Sequence, residues 1–322
     1  MKKVVFLFNE KDSDVPSEFS AAITWWYGIL ENFGYDVMYY DYANFNFNKF
    51  YEEIKEYKPD FIIHACYDKL HTEFVKLKEF SKIFIMQSDD DYRFHNYARY
   101  WIPIVDGIIS FCGERDAMKT LYFSHGATEQ TFLHGYWSFN PNTMLLNDMP
   151  IRNNLITHMG SIYGNRSKII EEFDQRLQSS NIKVNVHSKV AYQEFKHLTA
   201  KSKFALCLTM AATQNMRQLK GRLFELPNLS IVVSEPFPNM DTYYDLEKEI
   251  VIFNSVPEAI EKIKRITMDT EYNKVFEAGK KRLLSEHTCY HVWNKYILPK
   301  MDEHFSPVNV SSILKEKHNI II

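Results

Sequence analysis

The stretch FIIHACYDKLHTEFVKLKEFSKIFIM, residues 61–86, contains two apolar runs with a segment of helical spacing between them. Residues 61–65 and 82–86 are rich in Ile and Phe and have the length of a buried strand. Residues 70–80 favour a helix. Two strands joined by a helix pair in parallel, so this stretch predicts a βαβ unit and an open parallel sheet with helices on its faces.

The same alternation continues on both sides of this stretch. Gly34 stands where the C-cap of a helix is expected, just before a second strand. The flanking elements are predicted as strands 3–8, 36–40 and 107–111 and as helices 17–33, 48–56, 92–101 and from 114 onward. The first half of the chain therefore reads as one doubly wound α/β domain.

Turn residues between 139 and 150 interrupt the pattern, which then begins again. The second series is predicted as strands 155–159, 182–186, 204–209, 230–234 and 250–253, helices 166–179, 191–201, 217–226, 256–268 and 271–285, and a last helix at 290–305. A chain of 322 residues is long enough for two cores.

The predicted fold class is α/β, with two Rossmann-like doubly wound domains facing a central cleft. The domains are expected at 1–145 and 146–300, followed by a C-terminal tail, 301–322, that is expected to cross back to the first domain. Ligands of such sheets bind at the carboxyl ends of the strands.

Composition indicates a globular protein of the cytoplasm. The hydrophobic fraction is 45% and the charged fraction 25%. Four widely spaced cysteines have neither metal-ligand spacing nor a disulfide pattern, which favours a reducing compartment and no structural metal. The apolar run at 21–30 is too short to span a membrane.

The net charge of −3 is unevenly distributed. Residues 1–145 hold 14 Lys and Arg against 21 Asp and Glu, whereas residues 146–322 hold 24 against 20. The acidic first half repels polyanions, and the mildly basic second half suits a phosphorylated small molecule.

A cluster of charges precedes the strand at 230–234. Lys220, Gly221 and Arg222 are expected at the start of a helix, where backbone N–H groups, the helix dipole and two cations would converge on an anion. Glu225, three residues after Arg222, would share its helix face and accept hydrogen bonds from ribose hydroxyls. The alternative is a solvated Arg222–Glu225 pair on a surface helix.

Several motifs of the second half resemble one family. Gly160-Ser161-Ile162-Tyr163-Gly164-Asn165-Arg166 resembles the "G-S-x-Y-x-x-R" element of the CgeB-like (spore maturation protein type) glycosyltransferases, and residues 221–225 resemble their "R-x-F-E" element. Residues 235–236, 250–255, 278–282 and 286–288 are similar to the rest of the pattern. In the first half only Ser88-Asp89-Asp90 is similar.

The resemblance implies a metal-independent glycosyltransferase of GT-B fold that uses a nucleotide-diphosphate sugar, most often a UDP-sugar, and needs no cofactor. Glu225 would bind the donor ribose, and the diphosphate would be held by Lys220, Arg222 and the Gly160 turn with Arg166. His187 and His158, each at the end of a strand, are expected to border the donor. For both, a half-buried histidine without a ligand is the alternative.

The catalytic base is predicted among the carboxylates that follow the strand at 82–86. Asp89 or Asp90, rather than Asp91, would take the proton of the acceptor hydroxyl. The alternative is a loop that caps the next helix. Where related retaining enzymes have a second glutamate, eight residues before Glu225, this chain has Arg217, so the stereochemical outcome stays open.

His134 is a second candidate for the base or for a sugar contact, with packing between the domains as the alternative. The aromatic residues 25–27 are candidates for stacking on an acceptor sugar, with core packing as the alternative. The acceptor itself is open among carbohydrates, proteins and small metabolites, with modified DNA less favoured by the charge of the first half. Rival functions are a nucleotide-sugar epimerase-like enzyme on the same fold and a non-catalytic nucleotide-sugar-binding module.

Overall fold

The chain divides into two compact units in the computed structural model. The model describes all residues except 9–10, 13–14, 20–25, 42–44, 66–70, 88–93, 112–114, 147, 179–181, 211–216, 218 and 269–270. The first unit combines Met1–Thr143 with Cys289–Ile321, and the second comprises Met144–Thr288 together with Ile322. The chain returns from the second unit to the first after Thr288, which is earlier than the predicted domain end at residue 300.

The first unit is built on a parallel sheet of six strands. Their order is β4-β1-β5-β6-β7-β8, with β1 at Lys3–Phe8, β4 at Asp36–Asp41, β5 at Phe61–Ala65, β6 at Lys82–Gln87, β7 at Gly107–Ser110 and β8 at Phe132–His134. Every neighbouring pair is parallel. The βαβ unit predicted from residues 61–86 is confirmed, since β5 and β6 pair from Phe61 with Lys82 to Ala65 with Met86.

Short helices connect these strands. They are α-helices at Phe47–Tyr57, His71–Phe74, Arg99–Trp101, Arg115–Phe123 and Pro141–Met144, 3-10 helices at Leu30–Phe33 and Val75–Glu79, and a π-helix at Phe94–Ala98. The strand cores are buried because parallel strands are covered on both faces, and the Val4, Ile62 and Ile85 side chains have no exposed surface.

The predicted helix over 17–33 is not continuous. Strand β3 at Val15–Phe19 pairs instead with β2 at Lys11–Asp12 in an antiparallel hairpin. Gly28 has φ +74, a left-handed conformation that no α-helix can pass through, and its N–H donates to the Tyr39 hydroxyl at 2.8 Å. The described residues Leu30–Phe33 form a 3-10 turn, and Gly34 ends it with φ +83 as predicted.

The second unit contains a parallel five-stranded sheet of order β10-β9-β11-β12-β13. The strands are β9 at Asn154–Met159, β10 at Val184–His187, β11 at Ser202–Cys207, β12 at Ile231–Ser234 and β13 at Val251–Ile252. The helices are Asn165–Leu177, Tyr192–Ala200, Arg222–Glu225, Val256–Met268 and Glu271–Glu286, with 3-10 turns at Leu226–Asn228 and Met240–Thr242.

The C-terminal segment returns to the first unit. It consists of α-helices at Cys289–Val292, Leu298–Met301 and Val310–His318 and a π-helix at Trp293–Ile297. The Cys289 N–H donates to the Phe139 carbonyl at 2.7 Å. The segment where the chain leaves the first unit therefore contacts the segment where it returns. Near the end, Asp302 forms an ion pair with Lys2 and accepts a hydrogen bond from the Tyr35 hydroxyl at 2.9 Å. Within the described residues, no helix is both long and apolar enough to cross a bilayer.

Candidate active site

A glycine-bounded turn follows β9 in the second unit. Gly160 has φ +142 and Gly164 has φ +51, both in the left-handed region that favours glycine. The Gly160 N–H donates to the His187 carbonyl at 2.9 Å, which ties the turn to β10. No side chain caps the helix Asn165–Leu177 that starts here. Its first N–H groups and the positive end of its dipole therefore lie at this turn.

The turn forms one wall of a cavity of about 210 Å³. The cavity lies at the carboxyl ends of β9 and β11, the edge where ligands bind in parallel α/β sheets. Its lining residues all belong to the second unit and are His158, Met159, Gly160, Ser161, Tyr163, Arg166, Leu206, Cys207, Leu208, Lys220 and Arg222. Three cations thus face one small space.

Arg166 is held in place by backbone carbonyls. Its Nη1 donates to the Ser161 carbonyl at 3.1 Å and its Nη2 to the carbonyls of Leu208 at 3.2 Å and Met210 at 2.8 Å. The guanidinium also lies 4.1 Å from the centre of the Tyr163 ring. These partners are all neutral, and the guanidinium lines the cavity.

The Arg222 side chain lines the cavity and also contacts Glu225. The two side chains form an ion pair in which the Glu225 side chain is 1% exposed and that of Arg222 33%. Burial opposes the charge of Arg222, but Glu225 outweighs it and raises the pKa of the guanidinium, which also lies over the Phe195 ring at 4.0 Å. The i, i+3 pair is therefore present, but its carboxylate is buried, unlike in the alternative of a solvated surface pair.

Tyr192, which was not predicted as a site residue, also contacts Glu225. The Tyr192 hydroxyl donates to Glu225 Oε1 at 3.4 Å. Burial and then the Glu225 charge raise the pKa of Tyr192, which keeps the hydroxyl protonated as a donor. The sequence signal for this contact is weak, because Tyr192 and Glu225 lie on separate elements and only the fold brings them together.

The helix expected over 217–226 is much shorter than predicted. Residues 222–225 alone are α-helical, and Arg217 forms an isolated bridge with Met210 instead. Arg217 Nη1 donates to the Pro236 carbonyl at 2.9 Å and lies 3.7 Å from Glu235, so it is held in extended chain. A four-residue helix has little dipole, and the helix dipole at the cavity comes from Asn165–Leu177 instead.

The remaining predicted residues lie elsewhere or outside the described chain. Asp89, Asp90 and Asp91 are all outside the described residues. His187 is half-buried and does not line the cavity, although its carbonyl accepts from Gly160. Among the described residues, no group of three or more Asp, Glu, His and Cys side chains is placed to hold a metal ion.

The aromatic candidates of the first half belong to the first unit. Trp26 stacks on Trp137 with ring centres 5.1 Å apart and is buried, which matches the packing alternative. Tyr27 is exposed, and Trp25 lies outside the described residues. His134 ends β8.

His158, near the end of β9, is a buried part of the cavity wall. Its side chain is 3% exposed, and burial, followed by the charge of Arg166, lowers its pKa to about 4. The imidazole is therefore neutral at physiological pH. The sequence indicated only that this histidine would border the donor, because its burial could not be read from the motif.

Comparison with known proteins shows similarity to glycosyltransferases. Residues 150–297 match a family model described as "Glycosyl transferase-like". No curated protein matches the sequence. An alpha-glucosyltransferase solved with UDP-glucose and DNA containing an abasic site is similar in structure, with a TM-score of 0.64 and 12% identity over 91% of this chain and 98% of that chain.

Two other solved structures are similar along nearly their whole length. HepE of Anabaena, solved with UDP and glucose, has a TM-score of 0.56 and 10% identity over 98% of this chain and 100% of its own. Sucrose-phosphate synthase of Thermosynechococcus elongatus has a TM-score of 0.58 and 8% identity over 88% and 94%. The predicted α/β fold is confirmed, since the chain is similar in structure to glycosyltransferases of GT-B fold, and residues 150–297 resemble a glycosyltransferase family in sequence.

Proposed function

We propose that the chain transfers a sugar from a UDP-sugar to an acceptor hydroxyl. The observation that carries this proposal is the cavity at the carboxyl edge of the second sheet, where Arg166, Lys220 and Arg222 face one space beside an uncapped helix N-terminus. Such a site fits a diphosphate. UDP or UDP-glucose is bound in two of the similar structures, which supports uridine as the nucleoside of the donor.

The donor is bound mainly through its diphosphate in this proposal. The Gly160 turn, Arg166, Lys220 and Arg222 hold the phosphates, and Glu225 accepts hydrogen bonds from the ribose. Arg222 both lines the cavity and contacts Glu225, so a phosphate bound by Arg222 lies one side chain away from that carboxylate. His187 contributes at the edge of the site through its position beside Gly160.

Transfer breaks the bond between the sugar carbon and the diphosphate oxygen, which keeps the electron pair. The cations and the helix N-terminus stabilise the negative charge on that leaving group, a role that a metal ion fills in other transferases. Asp89 or Asp90 accepts the proton of the acceptor hydroxyl as the new bond forms. Arg217 occupies the position of a second glutamate in related retaining enzymes, so the stereochemistry is left open.

The same proposal includes statements on the subtype, the metal requirement, the location and the acceptor. They are a CgeB-like subtype, metal independence, a cytoplasmic location and an acceptor among carbohydrates, proteins and small metabolites. One similar enzyme was solved with DNA, whereas residues 1–145 of this chain carry a charge of −7, which disfavours a long polyanion. A 13-mer DNA containing an HMU base, which is present in another similar structure, therefore belongs in the acceptor series as a test.

Calorimetric titration with UDP, GDP, ADP and TDP and their glucose conjugates tests the donor, in the presence and absence of EDTA. We expect binding of UDP and UDP-glucose that EDTA leaves unchanged and that Arg222→Ala abolishes. Arg176→Ala is the matched control, because Arg176 pairs with Glu172 on the exposed face of a helix in the same unit. Binding of none of the nucleotides would contradict the proposal.

Turnover separates the enzyme from its rivals. Asp89→Asn and Asp90→Asn are expected to bind UDP-glucose like the parent, while at least one loses transfer and UDP release. A parent that binds the donor without releasing UDP in the presence of any acceptor would be a binding module. Conversion of the bound UDP-sugar to an epimer, with no acceptor present, would identify an epimerase-like enzyme.

A further inference from the structure

Tyr27 is an exposed aromatic residue at the border of the first unit's core. Its neighbour Trp26 is 4% exposed and stacks on Trp137, whereas Tyr27 is 45% exposed. The Tyr27 ring lies with its centre 5.1 Å from that of Tyr39, which is half-buried in the second half of β4. One ring of this pair therefore belongs to the sheet, while the other presents surface to the solvent.

The backbone at Tyr27 is held by side chains from other parts of the chain. The Tyr27 carbonyl accepts hydrogen bonds from Asn140 Nδ2 at 3.1 Å and Asn142 Nδ2 at 2.9 Å. The Gly28 N–H of the same peptide group donates to the Tyr39 hydroxyl at 2.8 Å. A Cβ atom added to Gly28 would lie 3.1 Å from Asn142 Nδ2, so the turn is also tightly packed. Both polar atoms of the peptide group after Tyr27 thus have partners within the first unit.

Further hydrogen bonds hold the partners of this peptide group. The Tyr290 hydroxyl, from the C-terminal segment, donates to Asn142 Oδ1 at 3.2 Å and accepts from Asn32 Nδ2 at 2.8 Å. Asn32 Nδ2 also donates to the Gly28 carbonyl at 2.7 Å. A rotation of the turn would break several of these bonds. Tyr27 is therefore held in one position before a ligand binds, which lowers the entropy cost of binding.

A carboxylate lies beside the aromatic pair. Glu31 is exposed, and its Oε2 accepts from the Tyr39 hydroxyl at 3.1 Å. Burial, followed by the charge of Glu31, raises the pKa of Tyr39, so this hydroxyl stays protonated and remains a donor. A carboxylate can accept several hydrogen bonds at once, so Glu31 can accept from Tyr39 and from the hydroxyls of a ligand together. Tyr27 and Glu31 both contact Tyr39, so one ligand can reach both.

The ligand that fits this surface has an apolar face and hydroxyl groups at its rim. The face of an aromatic ring carries partial negative charge and attracts the weakly positive C–H groups of a saturated ring. The carboxylate of Glu31 accepts from hydroxyls and repels phosphates. A pyranose has both features, since its C–H groups lie on its faces and its hydroxyls around the ring. A neutral sugar therefore fits better than a polyanion such as DNA.

We propose that Tyr27 is a stacking platform for a neutral saccharide, the acceptor of the transferase, and that Glu31 accepts hydrogen bonds from the same saccharide. The acceptor role rests on the proposed function, whereas binding of the saccharide does not. An organic cation is the other ligand that an aromatic face and a carboxylate attract, and variants of Glu31 separate it from a sugar.

Saturation-transfer NMR of the full chain with maltotriose, cellotriose, chitotriose and mannotriose tests the platform. We expect at least one to bind with a Kd of about 1 mM or below, and saturation to be strongest at the C–H protons of one face of a sugar ring. Tyr27→Ala should weaken this binding about tenfold or more, and Tyr27→Phe should keep it, because the ring makes the contact. Tyr100→Ala, at another exposed tyrosine of the first unit, is the matched control.

A second variant at the same position guards against a change in folding. Tyr27→Leu keeps an apolar side chain against Tyr39 but has no aromatic face, so it should lose the saccharide as Tyr27→Ala does. A parent-like urea midpoint of Trp fluorescence, which reports the stack of Trp26 on Trp137, shows that a variant is folded. Full saccharide affinity in a folded Tyr27→Leu would overturn the inference.

Glu31→Gln distinguishes a sugar from a cation. An amide oxygen also accepts from hydroxyls, so Glu31→Gln should keep saccharide affinity within about threefold, and Glu31→Leu should lose more. Tetramethylammonium is the cationic probe. Binding of tetramethylammonium that both Tyr27→Ala and Glu31→Gln abolish, in a parent that binds no saccharide, would overturn the inference in favour of a cationic ligand.

Calorimetry with UDP-glucose separates this inference from the proposed function. Tyr27→Ala should raise the KM for the saccharide about tenfold in a transfer assay and leave the affinity for UDP-glucose unchanged. A parent that binds UDP-glucose but none of the four saccharides up to about 20 mM overturns this inference and leaves the proposed function intact. A parent that binds a saccharide through Tyr27 but no UDP nucleotide overturns the proposed function and the acceptor role, while the platform stands.

Discussion

Replacing Arg222 with Gln is expected to destabilise the second unit more than replacing Glu225 with Gln, although both changes break the same ion pair. The Glu225 side chain is 1% exposed and that of Arg222 33%. Arg222→Gln leaves a buried carboxylate without its cation, which costs about 3–5 kcal/mol of unfolding free energy. Glu225→Gln leaves a cation that reaches solvent and loses one charge-assisted bond, about 1–2 kcal/mol. The difference is about 2 kcal/mol.

The distribution of tryptophan makes the two units separately measurable. All five Trp residues, at positions 25, 26, 101, 137 and 293, lie outside 144–288. Trp fluorescence in urea therefore follows the first unit, and amide exchange of peptides covering β12 follows the second. A difference of 2 kcal/mol corresponds to about a thirtyfold faster exchange in Arg222→Gln than in Glu225→Gln. The fluorescence transition should not move in either variant.

Equal exchange in the two variants, or faster exchange in Glu225→Gln, would refute the reasoning from burial. The double variant Arg222→Gln, Glu225→Gln has no charge left uncompensated and should exchange more slowly than Arg222→Gln alone. Arg176→Gln, which breaks an exposed pair with Glu172, is the control and should change the free energy by less than about 0.5 kcal/mol.

Three other changes test the second unit. Gly279→Ala would bring a methyl group against the Glu249 backbone carbonyl, and far-UV circular dichroism in urea should show a loss of about 3 kcal/mol or more; a parent-like midpoint contradicts the close packing. Gly160→Ala strains a residue at φ +142 and should lower both UDP affinity and stability by about 1–3 kcal/mol; unchanged affinity in calorimetry would separate the turn from the donor site. Because the folded His158 has a pKa of about 4 and an unfolded histidine about 6.5, stability should fall as pH falls through this window, by about 2 kcal/mol from pH 7.5 to 5. His158→Gln should lose that share of the slope when urea midpoints are compared at the two pH values, and an identical slope would contradict a neutral buried ring.

The sheets were predictable because their strands carry their own signal. Residues 61–65 and 82–86 are apolar along their whole length, as strands covered on both faces must be. Strand β8 at Phe132–His134 was not predicted, since three residues are too few to show a period. The hairpin of β2 and β3, which takes up the start of the helix predicted over 17–33, was also not predicted, nor was the interruption of that helix at Gly28, whose left-handed backbone is set by the surrounding chain.

The site residues that come directly after strands could be predicted from the sequence. Gly160 and Arg166 follow β9, and Lys220 and Arg222 come after β11, so a parallel sheet brings all four to one edge, and the structure has them around one cavity. The burial of Glu225 depends on packing from the helix Tyr192–Ala200, which no local pattern encodes. The same holds for the burial of His158.

The hydrogen bond between Cys289 and Phe139 joins two points that the whole second unit separates in sequence. Residues 144–288 are therefore an insert whose ends emerge side by side. A short linker across that gap would restore a continuous first unit, and a different insert with similarly adjacent ends could be grafted into the same gap. Recombination at two neighbouring points could therefore exchange this whole insert and leave the sequence of the first unit unchanged.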